Sequence, residues 1–377
     1  MGLGLGACFE LGAFASWLLL LSFAAIPMWI CEWRRGASST PRHPATPVMA
    51  LAGVAVVTAL FVCSIQIQTH VGGEKGQTVS QFTLPVLAVC SAMAVIALVR
   101  PGMLGPTVLS CGRLVQLLLR GVRPDADAVV SLMGWVVKAV FLPLMLAWSL
   151  AWIASAGQMW QGSATIGAFA AAMALLYAID TAFGTVGYLS TSERIDAHIR
   201  SVDTTALGWL SALACYPPLS VVVLESWLVY KSSGDWTAWF AAGSVAAVVW
   251  GGAILLLTAI YTWSTVVFGP RFSNLTHRGI ITSGPYRWGK HPAYVAKNAS
   301  WWLISVPFLG HGTPAQTLLH CLALLGVNLI YAVRAYTEER HLRRDPVYRD
   351  YARWIARHGW LARVRRAAGG NVVRERG

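Results

Sequence analysis

The stretch Gly284-Pro285-Tyr286-Arg287-Trp288-Gly289-Lys290-His291-Pro292-Ala293-Tyr294 leads into an apolar run over residues 293–309. The chain then turns at His311-Gly312-Thr313-Pro314 and is apolar again over residues 315–333. As helices these runs rise about 25–30 Å, enough to cross a bilayer core. Two antiparallel crossings bring the chain back to its starting face. His291 and Arg334, which closes the second run, are therefore expected at one membrane surface. A second polar cluster starts at Arg334 and continues through Glu338, Glu339 and Leu342 to Tyr348 and Tyr351.

Composition agrees with a membrane setting. The chain is 56% hydrophobic and 12% charged, with a mean hydropathy of +0.56, whereas soluble domains carry about 25% charged residues. The fold class expected is all-α, a polytopic transmembrane helix bundle. The seven cysteines are scattered, with no Cys-x-x-Cys and no Cys/His cluster. Neither a metal site nor a disulfide framework is signalled, and packing roles are expected. The opening Met1-Gly2-Leu3-Gly4-Leu5-Gly6 follows no strand, so it is not read as a nucleotide loop. Gly6 also stands where a myristoylation signal needs Ser or Thr. No basic segment precedes the first span, so a cleaved signal peptide is not expected.

Long apolar runs give about nine spans, at roughly 11–31, 48–67, 82–99, 129–155, 163–189, 208–230, 237–262, 292–310 and 315–337. Positive charge sorts the loops between them. Arg34, Arg35 and Arg42 fall in the first loop, and Arg100, Arg113, Arg120 and Arg123 in the third. Arg194 and Arg200 follow in the fifth loop, then Arg271, Arg278, Arg287 and Lys290 in the seventh. Eleven arginines follow in the tail from Arg340. Alternate loops thus hold 24 basic residues against two, Lys75 and Lys231. Positive-inside bias places the rich side in the cytoplasm, with the N-terminus outside and the C-terminus inside; in a bacterium the membrane would be the inner one. The net charge of +13 is then a topology signal rather than a mark of nucleic-acid binding. That face also favours anionic lipid head groups. The tail from His341 is expected to be a short interfacial helix anchored by Trp354 and Trp360.

Pro292 suits the first position of a helix, where its missing N–H is no loss, and leaves His291 as the cap. A helix start offers free N–H groups to a carboxylate or phosphate, and Lys290, His291 and Tyr294 surround this one. An ordinary interfacial helix start is the plain alternative. Lys297, about one turn deeper, is expected to snorkel to the surface. Asn298 needs a partner if it faces the bundle. Arg334, Glu338 and His341 share a helical face, while Glu339 lies nearer Arg343. These are either surface pairs worth about 0.2–0.5 kcal/mol each or the wall of a polar cavity, since arginine beside a long apolar run needs one or the other. Lys138 and Asp180 fall within spans and could pair, snorkel or be satisfied separately in the core.

The two clusters around the hairpin resemble the isoprenylcysteine carboxyl methyltransferase family and the related phospholipid methyltransferases, over about residues 279–354. Gly284, Tyr286, Arg287, His291, Pro292, Tyr294, Arg334, Glu339, Tyr348 and Tyr351 occupy the family pattern. Lys290 stands where arginine is usual, and Ala296 where glycine is frequent. The resemblance implies S-adenosylmethionine as cofactor, held by Tyr286, Arg287, Lys290, His291, Tyr294 and Glu338. Arg334 and Glu339 would act where cofactor and substrate meet. It also implies a lipid-like or prenylated substrate that arrives from the membrane. Residues 1–236 carry no family pattern and are set apart as an N-terminal transmembrane region, with residues 237–377 as the methyltransferase-like region. A sterol-reductase-like NADPH oxidoreductase is the alternative enzyme. Its Cys-x-x-Lys-Tyr-Gly pattern is missing from Arg343-Arg344-Asp345-Pro346-Val347-Tyr348. A transporter or scaffold without catalysis is the third reading, although no internal repeat is evident.

Overall fold

The computed structural model describes residues 12–34, 45–160, 166–230, 235–309 and 312–368. The glycine-rich start, Arg35, Arg42, Lys231, His311, Arg374 and Arg376 lie outside the described residues. In chain order the helices are α1 (Ala13–Arg34), α2 (Pro47–Val71), α3 (Thr83–Val99), α4 (Pro106–Leu119), α5 (Ala126–Trp160) and α6 (Ile166–Leu189). There follow α7 (Ala206–Leu213), α8 (Val245–Phe268), α9 (Pro292–Ser305), α10 (Pro314–Leu342), α11 (Pro346–His358) and α12 (Trp360–Ala367), with shorter turns between. Seven of these, α1, α2, α3, α5, α6, α8 and α10, are long and apolar enough to cross a membrane. The chain is an all-α, membrane-type bundle.

Two of the nine expected spans take a different form. Residues 208–230 divide into α7, a turn through Pro217-Pro218 and a π-helical segment, Val221–Trp227. Two successive prolines remove two helix donors, so no continuous helix can pass. Residues 292–310 form only the 14-residue α9, which rises about 21 Å and falls short of a bilayer core. The helix stops where Val306 turns left-handed (φ 37°) ahead of Pro307, since a residue before proline is disfavoured in the helical region. A third difference lies in the loop over residues 100–128, which holds α4. Val108, Leu109, Cys111, Gly112 and Leu114 form its buried face. At the α2/α4 crossing a Cβ on Gly53 would lie 2.1 Å from the Val108 carbonyl oxygen, and one on Gly112 1.8 Å from that of Met49. Only glycine allows the two backbones this close.

The largest core lies among α2, α5 and α6, where Val57, Phe61, Val137, Phe141 and Tyr188 are buried. Phe141 stacks on Tyr188 with ring centres 6.1 Å apart. Helix α8 packs on both α6 and α9. Lys138 and Asp180, which could have paired, find separate partners. The Lys138 ammonium lies 4.4 Å from the centre of the Trp135 ring, and Asp180 accepts from the Tyr261 hydroxyl.

The loops at one end are tied together. Ser201–Val202 pairs antiparallel with Thr276–His277. Arg278, 2% exposed, donates to the carbonyls of Gly187, Ser190, Ala197 and Phe272. Two of those carbonyls belong to the C-terminal end of α6, where a cation meets the negative end of the helix dipole. Helix α10 begins at Thr313, whose hydroxyl accepts from the Gln316 N–H while the Gln316 side chain accepts from the Thr313 N–H. This reciprocal cap with Pro314 in first position explains why the second arm of the hairpin starts there.

Candidate active site

Helices α9 and α10 run antiparallel, so the start of α9 meets the end of α10. Glu338 and Glu339, adjacent on α10, reach to different partners. Glu339 takes the Lys290 ammonium at 2.6 Å and the His291 Nε2 at 3.1 Å, with Arg343 at 3.4 Å on its outer side. Glu338 accepts from the Tyr294 hydroxyl and from Arg334 Nε at 3.3 Å. The His291 and Tyr294 rings stack nearly parallel, 4° apart in tilt, with centres 5.5 Å apart. The expectation that the two clusters share one end of the hairpin is met, and they interlock through the two glutamates.

Arg334 is the most enclosed member, 5% exposed. Its guanidinium donates to the Asn274 side-chain oxygen and lies over the rings of Tyr294 and Tyr216 at 5.2 and 5.8 Å. Asn274 is held in turn, its backbone N–H donating to the Tyr188 hydroxyl at 3.0 Å and its amide to Tyr216 at 3.4 Å. A buried arginine needs this degree of hydrogen bonding, because an unpaired charge in an apolar setting is costly.

These groups border a cavity of about 180 Å³. Lys290, His291, Tyr294, Arg334 and Glu338 line it, as does Tyr286. Tyr286 is buried, packed edge-on against Phe268, and its carbonyl accepts from the Tyr351 hydroxyl at 2.7 Å. Glu339 is not part of the lining; it sits behind Lys290 and His291 and fixes both. Arg287 is exposed and also lies outside the lining. Asp203, Gly208, Ala212 and Tyr216, from before residue 237, complete the wall, so the cavity draws on both halves of the chain.

Lys297 corrects the expectation of snorkelling. It lines the cavity, with its ammonium 4.8 Å from the Tyr261 ring centre, 5.4 Å from Trp301 and 5.8 Å from Tyr331. Three aromatic faces attract a cation strongly enough to hold it inside. Asn298 finds the partner it needs, bridging the Tyr294 carbonyl and Asn328 at 2.9 Å each. Asn274, Tyr216 and Tyr261 went unseen in the sequence. Asn274 is 60 residues from Arg334, and no spacing rule joins them.

The residues present suit S-adenosylmethionine. Helix α9 starts without a side-chain cap, leaving first-turn N–H groups for a carboxylate. Glu338 offers an acidic group on the same wall, suited to an amine or ribose. Among the described residues no cluster of metal-ligating side chains occurs.

Fold and site define a polytopic helical membrane protein with a charge-lined cavity at the end of a helical hairpin. Residues 245–344 match the isoprenylcysteine carboxyl methyltransferase (ICMT) family, in agreement with the motifs of the hairpin, and the match points to a membrane methyltransferase. It takes in α8, α9 and α10 and stops before Tyr348. No curated protein and no solved structure matches the chain.

Proposed function

We propose that the protein is an integral membrane, S-adenosylmethionine-dependent methyltransferase whose substrate is a lipid-like or prenylated molecule taken up at the cytoplasmic boundary. The observation that carries this reading is the meeting of Lys290, His291, Tyr294, Arg334 and the two glutamates at an uncapped helix start. When bound, the cofactor supplies an electrophilic methyl group. The chain's own residues bind, orient and exclude water. The first turn of α9 with His291 and Tyr294 holds the carboxylate end, and Glu338 the amine or ribose. Glu339 keeps Lys290 and His291 in place from behind. Arg334, rigidly held by Asn274 and Glu338, is set to fix a polar group of the acceptor beside the reacting methyl. Methyl transfer is an in-line displacement, so holding the two reactants in near-attack geometry is where a protein gains most.

The test is transfer of label from methyl-labelled S-adenosylmethionine to a total lipid extract by the purified full chain, with identification of the labelled product. A labelled lipid or prenylated molecule is the expected result. Binding of NADPH in calorimetry with no response to S-adenosylmethionine would turn the reading toward the reductase class.

A further inference from the structure

The helices that follow the hairpin present three distinct faces. On α11, Tyr348, Tyr351 and Ile355 are buried, at the i, i+3 and i+7 spacing of one helical face. Tyr348 and Tyr351 line the cavity. Val347 (57% exposed) and Trp354 (45%) share a second face, and Arg349, Arg353 and Arg357 a third. Helix α12 adds exposed Trp360, Leu361 and Val364 beside Arg363, Arg365 and Arg366. Over residues 340–368 nine arginines stand against two aspartates. The apolar strip stays about half exposed, with the Trp354 ring against His358 at 5.1 Å and Trp360 beside Gly289, and Arg357 and Arg365 direct their guanidinium groups at no described acceptor.

We propose that α11 and α12 form a docking surface for anionic lipid head groups, and that seating there steadies the loop that leads into the cofactor site. Two observations commit the surface to a lipid bilayer. Helix α10, a candidate membrane span, ends at Leu342 and α11 begins at Pro346, so the chain reaches α11 at the height where the span emerges. Exposed tryptophans flanked by arginines match a bilayer boundary, with apolar rings in the acyl region and cations at phosphate level. The link to the site is direct. The Tyr351 hydroxyl donates to the carbonyls of Tyr286 at 2.7 Å and Gly289 at 3.2 Å, and the Trp360 backbone N–H to the carbonyl of Trp288 at 2.8 Å. Those three carbonyls span the loop that sets His291. The coupling, though not the docking surface, rests on the cofactor reading given above.

The experiment compares full-length protein in nanodiscs of phosphatidylcholine with the same protein in discs that also contain phosphatidylglycerol. Hydrogen exchange is read over residues 284–291 and 346–367, and S-adenosylmethionine affinity by titration. Slower exchange in both segments and tighter cofactor binding are expected in the anionic discs. Each of Arg353→Gln, Arg357→Gln and Arg365→Gln should weaken the seating by about fivefold, from the attraction of one arginine to an anionic surface. All three side chains are exposed, so these variants should fold. Equal exchange in the two lipids would overturn the docking surface. Slower exchange in anionic discs with unchanged cofactor affinity would overturn the coupling. Slower exchange with no S-adenosylmethionine binding in either lipid would sink the cofactor reading and leave the docking surface standing.

Discussion

Arg334 joins three elements through one guanidinium: its own α10 through Glu338, the loop after α8 through Asn274, and α9 through the Tyr294 ring. Lysine has the charge but not the planar fork, so it cannot meet Asn274 and Glu338 together. Arg334→Lys should therefore lower kcat by tenfold or more, about 1.4 kcal/mol in the transition state, and lower the melting temperature too, because a buried partner of Arg334 loses its donor. An exposed helix-end pair, worth under about 1 kcal/mol, would leave turnover near wild type, and that result would return Arg334 to a structural role. His277 gives a pH signature outside the spans. Its imidazole faces Asp345 Oδ2 at 3.2 Å, but burial holds its pKa below the usual 6.5, with Asp345 only partly opposing. The folded state thus favours neutral His277. Its contribution to stability is complete above pH 6.5 and is lost as pH falls through the lower folded value. Melting temperature should drop on acidification across that window, less steeply in His277→Gln; an equal slope in both would remove His277 as the cause. Of the site residues, those at the ends of apolar runs were legible because chain polarity changes abruptly at His291 and Arg334. Lys297 was not. The rings of Tyr261, Trp301 and Tyr331 that hold it come from three helices, and a one-dimensional pattern records depth without neighbours.

At the scale of elements, long apolar helices were readable because a bilayer demands length and composition together. The two broken spans were not. Residues 208–230 and 292–310 are apolar enough, yet Pro217-Pro218 and Val306-Pro307 withdraw the donors and dihedrals that a continuous helix needs. Helix α4 was missed for the opposite reason, being too short and amphipathic to register as a span although its buried face packs on α2 through Gly112. The amphipathic tail was expected as one interfacial helix and forms two, divided at Gly359. Its tie to the site depends on Tyr351. Tyr351→Phe keeps the ring and removes the hydroxyl that serves Tyr286 and Gly289. Losing that donor to buried carbonyls should cost about 1–3 kcal/mol of local stability. Exchange over residues 284–291 should quicken while that of the α2, α5 and α6 core stays unchanged. Unaltered exchange in the loop would show that ring packing alone holds it.

Across the described residues, the site and the basic loops that follow α4, α6 and α8 gather at one end. The Ser201–Val202 and Thr276–His277 pairing joins the loop after α6 to the loop after α8. Arg340 donates to the Thr205 hydroxyl at 2.6 Å, adding the end of α10. Near Gly134 at the start of α5, a Cβ would meet the Ile199 side chain, so the loop before α5 opens to this end as well. Arg200 and Arg271 share Asp196 there, at 3.0 and 3.4 Å. Arginines spread over separate loops in the sequence thus become one basic face, the arrangement that positive-inside insertion leaves behind. The prediction is that this end, with the cavity mouth, is cytoplasmic. Ser283 and Gln77 are both exposed, the first beside the site loop and the second in the turn between α2 and α3. In a background with the native cysteines replaced by alanine, Gln77→Cys should react with a membrane-impermeant thiol reagent in intact cells. Ser283→Cys should react only after permeabilisation. Gly289 is less suitable as a reporter, because a Cβ there would lie 3.2 Å from the Trp360 ring. The reverse labelling pattern would put the basic face outside. It would also leave the cavity away from the cytoplasmic pool of S-adenosylmethionine, so it would count against the proposed chemistry as well as the topology.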